Sequence, residues 1–237
     1  MKTSTSAIAF LAALTLSACA TAPLEIEQAS RNMPAALVTQ APGAAVATDA
    51  GARVAPPAGT AAQPLLQGLH VTAVRVSVPR TLKVSEANRF YPGGDIVWRE
   101  DPPGDRYEQV RRIVEAGIMD GVRGLGDSGR PVMLDIEVTR FHALTEKARY
   151  TVGGVHAIQF LMQLRDAETG APLGEPKFVK ADFRALGGQA AIRAERQGLT
   201  QKVRITRHLA EVIRTELTDP EGFHAAHLGL IGMLNQF

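Results

Sequence analysis

Hydrophobic and polar residues alternate along much of the chain after residue 65. In the first such stretch Val74 and Val76 flank Arg75, and Pro79 follows. Successive side chains of a strand point to opposite faces, so this pattern predicts a strand that Pro79 ends. Four segments show the alternation: 68–82, 131–144, 150–165 and 175–185. A turn that ends in Gly170 separates the last two, so the last three segments predict an antiparallel meander with one buried face.

A period of three to four residues predicts two helices. The first spans about 105–125, and Asp105 is its N-cap candidate. The second spans 189–217, has a strongly basic polar face and is ended by Pro220. Each helix is apolar on one side, which indicates that each covers a sheet on that side.

The order of these elements is strand, helix, three strands, helix. It predicts an α+β fold in which a two-layer sandwich of about four strands is backed by two helices. The first helix supplies the crossover that a parallel neighbour of the first strand needs. We assign this α+β domain to residues 65–218 and a short, apolar, helical C-terminal tail to residues 219–237.

The N-terminus has the pattern of a bacterial lipoprotein precursor. A basic start at Lys2 precedes the apolar run Ala7–Leu16, which is too short to span a bilayer. Small residues then lead into Cys19, the single cysteine of the chain. The sequence Leu16-Ser17-Ala18-Cys19 therefore predicts a signal peptide over 1–18 and a lipid-modified Cys19. The alternative is an ordinary secreted protein that keeps a leftover cysteine.

Residues 19–64 are rich in Ala, Pro, Gly and Thr and contain few bulky apolar side chains. Such a stretch cannot offset its conformational entropy by burial, so it is predicted to be a disordered tether. In the bacterial lipoproteins that this N-terminus resembles, an Asp directly after the cysteine retains the protein in the inner membrane. The residue here is Ala20, so the resemblance implies the outer membrane. The formal net charge of +2 over the 237 residues gives no indication of nucleic-acid binding.

A loop between the first strand and the first helix is the best candidate for a binding surface. It combines Tyr91, Ile96, Trp98 and Arg99, residue types that are enriched at protein interfaces. In the alternative interpretation, Trp98 closes one end of the sandwich, and Arg99 and Asp101 only pair with neighbouring residues. The apolar residues 228–237 also have two possible interpretations. They either fold back on the sheet or bind a partner.

Motifs of catalysis are scarce. The sequence contains no G-x-x-x-x-G-K-[ST], G-x-S-x-G or H-E-x-x-H. His224 and His227 have a spacing of three, which is compatible with a metal on a helix, although solvated or capping histidines are the simpler explanation. His142 and His156 lie on adjoining predicted strands and could meet there. We therefore expect no enzyme activity, no cofactor and no metal.

Four segments resemble an uncharacterised lipoprotein family of alphaproteobacteria. They are VRVSVPRTLKVSEAN at 74–88, YPGGDIVWREDPPGDRY at 91–107, LDIEVTRFHALTEKARYTVGGVHAI at 134–158 and AERQGLTQKVRITRHLAEVIR at 194–214. The resemblance implies location and fold but no activity. The predicted topology is also similar to that of the lipopolysaccharide-assembly lipoprotein and of lipoproteins that activate penicillin-binding proteins.

The sequence thus predicts a lipid-anchored periplasmic lipoprotein of the outer membrane. We expect it to act as a non-catalytic binding or assembly factor for another envelope protein. Two alternatives stay open at this point. One is a carrier of a lipid or other apolar ligand, held in a cavity between sheet and helices. The other is a metal-dependent hydrolase that uses His224 and His227.

Overall fold

A computed structural model describes residues 66–226 and residue 228. The predicted signal peptide, Cys19, the tether and nearly all of the apolar end of the tail lie outside the described residues. The elements are β1 Leu69–Ser77, β2 Ile96–Val97, α1 Arg106–Val122, β3 Arg130–His142, α2 Glu146–Arg149, β4 Gly154–Asp166, β5 Lys177–Lys180, β6 Phe183–Ala185, α3 Gly188–Arg196 and α4 Gln201–Thr218.

Six strands form one mixed sheet in the part of the chain that the structure describes. β3 lies at its centre, parallel to β1 on one side and antiparallel to β4 on the other. β5 and β6 both pair with β4, and β2 pairs with the end of β3. This architecture confirms the α+β class, and the parallel pairing of β1 with β3 confirms that α1 serves as a crossover.

The last predicted strand is two strands, because Ala181 and Asp182 interrupt it. At the break, the Asp182 carboxylate replaces a backbone carbonyl and accepts a hydrogen bond from the Ile158 amide at 3.0 Å. β4 thus keeps its hydrogen bonds while its neighbour changes from β5 to β6. The turn before β5 has the expected form, with Gly170 at a φ of 71°.

Helix α1 begins where its N-cap predicts. The Asp105 carboxylate accepts a hydrogen bond from the Glu108 amide at 3.2 Å. Its buried face packs on α4 at two glycines, Gly117 and Gly121. A Cβ at position 121 would lie 1.9 Å from Cγ2 of Ile213, so the two helices approach closely because this residue has no side chain.

The single long helix predicted for 189–217 is wrong. The chain forms α3 and α4, separated by four residues around Gly198, whose φ is 75°. A new N-cap at Thr200 starts α4, because its hydroxyl accepts a hydrogen bond from the Val203 amide at 3.4 Å. A left-handed glycine followed by a threonine cap is a combination typical of a helix end and a new helix start.

The short helix α2 between β3 and β4 was not expected. It is capped by Thr145, whose hydroxyl accepts a hydrogen bond from the Ala148 amide. The turn that follows α2 occupies residues 150–153, at the start of the segment predicted as the third strand, so β4 begins at Gly154 instead of near residue 150. None of the helices among residues 66–226 is long and apolar enough to span a membrane.

A single large core lies between the sheet and the helices. Its largest fully buried side chains include Trp98, Phe141 and Phe160. The rings of Trp98 and Phe141 meet edge to face, with centroids 5.9 Å apart. The alternating valines of β1 and β3 face this core, as the sequence predicts.

Candidate binding groove

A groove of about 380 Å³ opens where β4 begins and β6 ends. The loop that precedes β2, helix α2, the turn after α2 and the start of α3 surround it. Its apolar lining includes Phe90, Tyr91, Leu144, Ala148, Val152, Val155, Ala185, Leu186 and Ala190. A concave site of this size can hold a small molecule or a few residues of a peptide.

The aromatic wall of the groove is held by hydrogen bonds to the start of α2. The Thr145 hydroxyl donates to the Arg89 carbonyl oxygen at 2.8 Å, and the Lys147 amide donates to the side chain of Asn88 at 2.9 Å. Phe90 directly follows Asn88 and Arg89, and its ring centroid lies 4.8 Å from the Lys147 ammonium. The loop therefore presents its aromatic side chains in a fixed position.

Glycines form the opposite wall. The backbones of Gly153 and Gly187 touch, so that a Cβ at position 187 would lie 2.1 Å from the Gly153 nitrogen. Gly153 also has a φ of 76°, which disfavours any residue with a side chain. This close contact joins the turn after α2 to the start of α3 and places backbone atoms at this side of the groove, next to the side chains of Leu186 and Ala190.

Among the lining residues, Arg184 on β6 carries the only formal charge. Its carbonyl oxygen accepts a hydrogen bond from the Arg204 guanidinium at 3.0 Å, which fixes the backbone at this position. Within the described residues no carboxylate lies at ion-pair distance from the Arg184 guanidinium. The lining of the groove therefore combines apolar side chains with polar atoms and one cationic side chain at its edge.

Buried polar groups support the groove from beneath. The guanidinium of Arg149, at the end of α2, forms ion pairs with Glu195 at 2.5 Å and Glu100 at 3.4 Å. The Gln201 side chain accepts a hydrogen bond from the Leu144 amide at 2.9 Å. These contacts tie α2 to α3 and α4, so the groove stands on a connected set of elements.

His142 and His156 do not meet. His142 lies opposite Ala157 in the register of β3 and β4, so the side chains at 142 and 156 point to opposite faces of the sheet. Burial, together with the nearby Arg140 charge, lowers the pKa of His142 to about 4. Burial and the neighbouring Arg204 lower the pKa of His156 to about 3. Both imidazoles are therefore neutral at neutral pH.

His156 is a structural residue of the core. Its ring packs against Phe183 with centroids 4.8 Å apart, and it is fully buried. Its ring nitrogens have no hydrogen-bond partner among the residues that the structure describes. A buried imidazole without a partner favours the neutral form, which agrees with the direction of its pKa.

The predicted binding loop divides into two parts. Tyr91 lies on the rim of the groove with 65% of its surface exposed. Ile96 and Trp98 are fully buried in the core, and the Trp98 indole donates to the Asp101 carboxylate at 2.8 Å. The prediction that Ile96 and Trp98 contact a partner is therefore wrong, because both are covered by the protein's own core.

Arg99 is also engaged within the domain. Its guanidinium forms an ion pair with Glu146 at 2.6 Å and contacts Glu86 as well. The Glu146 carboxylate raises the pKa of Arg99. Arg99 thus joins the loop to α2, as the alternative interpretation of the loop expects, and is not free for a partner.

The histidine pair of the tail has no helix beneath it. His224 is exposed and lies outside any helix or strand, and His227 lies outside the described residues. No group of three or more His, Cys, Asp or Glu in the described part of the chain is placed to hold a metal ion. His224 therefore lacks the helical position that the metal-dependent alternative requires.

Sequence reasoning missed much of the groove. Val152 lines it from a turn, and Arg184 and Gly187 line it from an edge strand and a helix start about 30 residues further along the chain. The paired glycines at 153–154 and 187–188 are visible in the sequence, yet nothing local indicates that they touch. Tyr91 was predicted from the sequence. Phe90 could also have been predicted, because it precedes Tyr91 in the same loop.

Comparisons with known proteins give a family but no activity. No curated protein matches the chain. Among solved structures, a "putative lipoprotein" from Caulobacter crescentus CB15 is 16% identical, with a TM-score of 0.29, over 45% of this chain and 78% of the other. A Xanthomonas campestris protein of the DUF330 family is 13% identical, with a TM-score of 0.38, over 67% of this chain and 88% of the other.

These two structural similarities are too low to support an argument about function. The sequence of the domain gives a firmer result, because one family model matches residues 69–233, a range that includes every element from β1 to α4 and the whole groove. The chain therefore belongs to the family of unknown function DUF6778.

Proposed function

We propose that this protein is a lipid-anchored lipoprotein of the bacterial cell envelope whose folded domain binds another envelope component without catalysis. The observation that carries the anchor is the sequence Leu16-Ser17-Ala18-Cys19 at the end of a short apolar run. Acylation of Cys19 would attach the chain to a membrane, and Ala20 favours the outer membrane. The domain would then face the periplasm on a tether of residues 19–64.

The groove supports a binding role. Exposed apolar side chains that cluster at a concave site are typical of an interaction surface. Phe90, Tyr91 and Val152 are 40%, 65% and 77% exposed, and all three line the groove. Their positions are fixed by hydrogen bonds and glycine contacts, so binding there would cost little further ordering.

Metabolic labelling with a fatty-acid analogue tests the anchor. The wild-type chain should incorporate the label and sediment with membranes, whereas the Cys19→Ser variant should remain unlabelled and lose that membrane association. An unlabelled wild-type protein whose chain starts at Met1 would remove the proposed location.

Crosslinking in intact envelopes tests the binding role. Tyr91→Ala should reduce the recovery of specific crosslinked partners, because it removes the most exposed aromatic side chain at the groove. Met119→Ala is the matched control, since Met119 is 44% exposed but lies on α1 and does not line the groove. If both variants reduced the recovery of crosslinked partners equally, or if neither variant reduced it, the groove would not be the contact surface.

A carrier of an apolar ligand is the second candidate function. The expected cavity between sheet and helices is occupied at its centre by fully buried side chains such as Trp98, Phe160 and Leu209. The groove lies instead at the end of the sheet, where a small apolar ligand could enter from solvent. This observation keeps the carrier as a candidate, with a different site.

A further inference from the structure

The concentration of exposed apolar side chains around one groove indicates what kind of ligand it takes. Six large hydrophobic residues are exposed among those the structure describes. Four of them belong to the two segments beside the groove, and these are Phe90, Tyr91, Tyr150 and Val152. An exposed apolar cluster of this kind is stabilised when an apolar ligand covers it.

The walls of the groove come from separate parts of the chain. One wall is the aromatic loop, the other is the contact between Gly153 and Gly187, and the floor includes Leu144 and Ala148. Beside the glycines, the side chains of Leu186 and Ala190 also line the glycine wall. The groove volume of about 380 Å³ is at the small end of the range for ligand sites. A space of this volume suits one alkyl chain better than a ligand with two chains.

The charge of the lining specifies one end of the ligand. Arg184 is the charged lining residue, and no described carboxylate forms an ion pair with its side chain. A guanidinium binds carboxylate or phosphate oxygens through paired N–H donors. A ligand with one anionic group at this edge and an apolar body along the rest of the groove would match both features.

We propose that the groove binds a single-chain amphiphile with one anionic head, with the head at Arg184 and the chain between the aromatic loop and the glycine wall. The proposal deepens the binding role proposed above and rests on it. It does not depend on the acylation of Cys19.

The experiment measures binding of palmitate to the full chain that carries Cys19→Ser, so that no acyl group of the protein itself can enter the groove. Titration is done below the micellar concentration. Saturable binding of one palmitate per chain is expected. The expected effect of Arg184→Gln is a loss of about 10-fold or more in affinity, since one charge-assisted contact disappears. Arg193→Gln is the matched control, because Arg193 is an exposed arginine on α3 that does not line the groove.

A second variant tests the apolar part. Ala190 lines the groove from the first turn of α3, and Ala190→Trp should fill the space and abolish binding. The thermal unfolding and circular dichroism of each variant show whether the fold is kept. Hexadecanol tests the apolar part of the site alone, because it has no anionic head. It should bind the wild type more weakly than palmitate does, and its affinity should not change in Arg184→Gln.

The nature of the head is resolved by a parallel titration with lysophosphatidate. Tighter binding of lysophosphatidate than of palmitate assigns a phosphate head, and the reverse assigns a carboxylate, with sensitivity to Arg184→Gln expected in either case. Absence of saturable binding by both, or equal loss in Arg184→Gln and Arg193→Gln, overturns the proposal. If palmitate and lysophosphatidate fail while Tyr91→Ala still changes the crosslinked partners, the amphiphile is excluded and the protein-binding role stands.

Discussion

The two halves of the segment 88–101 contain similar residue types, but the first half is exposed and the second is buried. Phe90 and Tyr91 stand at the groove with large exposed surfaces, whereas Ile96 and Trp98 are fully buried. The difference arises from pairing: Ile96 and the residue after it form β2 beside the end of β3, which places the second half of the loop over the core. An aromatic residue in a loop is therefore an interaction candidate only if no strand pairing draws it inside.

Glycine contacts show the same contrast. At the helix crossing, Gly121 lets α1 approach Ile213 of α4 inside the core. At the groove, Gly153 and Gly187 bring two backbones together next to an open space. The contact at Gly121 allows close packing of apolar side chains in the core, whereas the contact between Gly153 and Gly187 forms one side of a site that solvent can enter.

Truncation of the buried half of the loop should have the largest effect. Trp98→Ala removes a fully buried indole and its hydrogen bond to Asp101, so the free energy of unfolding should fall by about 3 to 5 kcal/mol. Urea unfolding followed by circular dichroism measures it. Trp98→Phe should lose clearly less, because most of the ring remains; an equal loss would contradict the account of core packing.

The helix crossing should be the next most sensitive position. Gly121→Ala places a methyl group 1.9 Å from Cγ2 of Ile213 and should cost about 1 to 3 kcal/mol despite the better helix propensity of alanine. Gly126→Ala is the control, since a Cβ there meets no atom within 4 Å. If Gly121→Ala were as stable as the control, the close approach of α1 and α4 would be in error.

Acid should weaken the domain through the buried histidines. Because the pKa of His142 falls from 6.5 in the unfolded chain to about 4 in the folded one, its contribution is complete above pH 6.5. That contribution is lost as the pH decreases towards 4, and amounts to about 2 kcal/mol between pH 7.5 and pH 5.

Urea unfolding at several pH values checks this dependence in the wild type and in His142→Gln. The variant should lose about 2 kcal/mol less than the wild type over the same interval, whatever its stability at pH 7.5, because the titrating group is gone. The same pH dependence in both proteins would show that His142 is not buried in its neutral form.

The exposed half of the loop should matter least for stability. Tyr91→Ala should change the free energy of unfolding by less than about 0.5 kcal/mol, because the side chain is largely in solvent. Chemical denaturation alongside Trp98→Ala gives the direct contrast. A loss close to that of Trp98→Ala would mean that both halves of the loop belong to the core.

Local sequence patterns predicted most of the elements. The period-two segments became β1, β3 and β4, and Asp105 caps α1 as expected, because each of these signals acts within a few residues. The long second helix was wrong because the local apolar period continues across Gly198, while the left-handed glycine and the Thr200 cap divide it. Those two residues were visible in the sequence and outweighed the period.

What the sequence determined by itself is the α+β class, the N-cap of α1 and the lipoprotein pattern at Cys19, since each depends on neighbouring residues. The tertiary structure alone decided the groove, because its walls come from a loop, a turn and an edge strand far apart in the chain. It also decided which aromatic residues are exposed, since burial depends on the partner strand and not on residue type. Strand pairing is a long-range event, so in a loop without a period-two pattern the local sequence does not indicate which aromatic side chains it will cover.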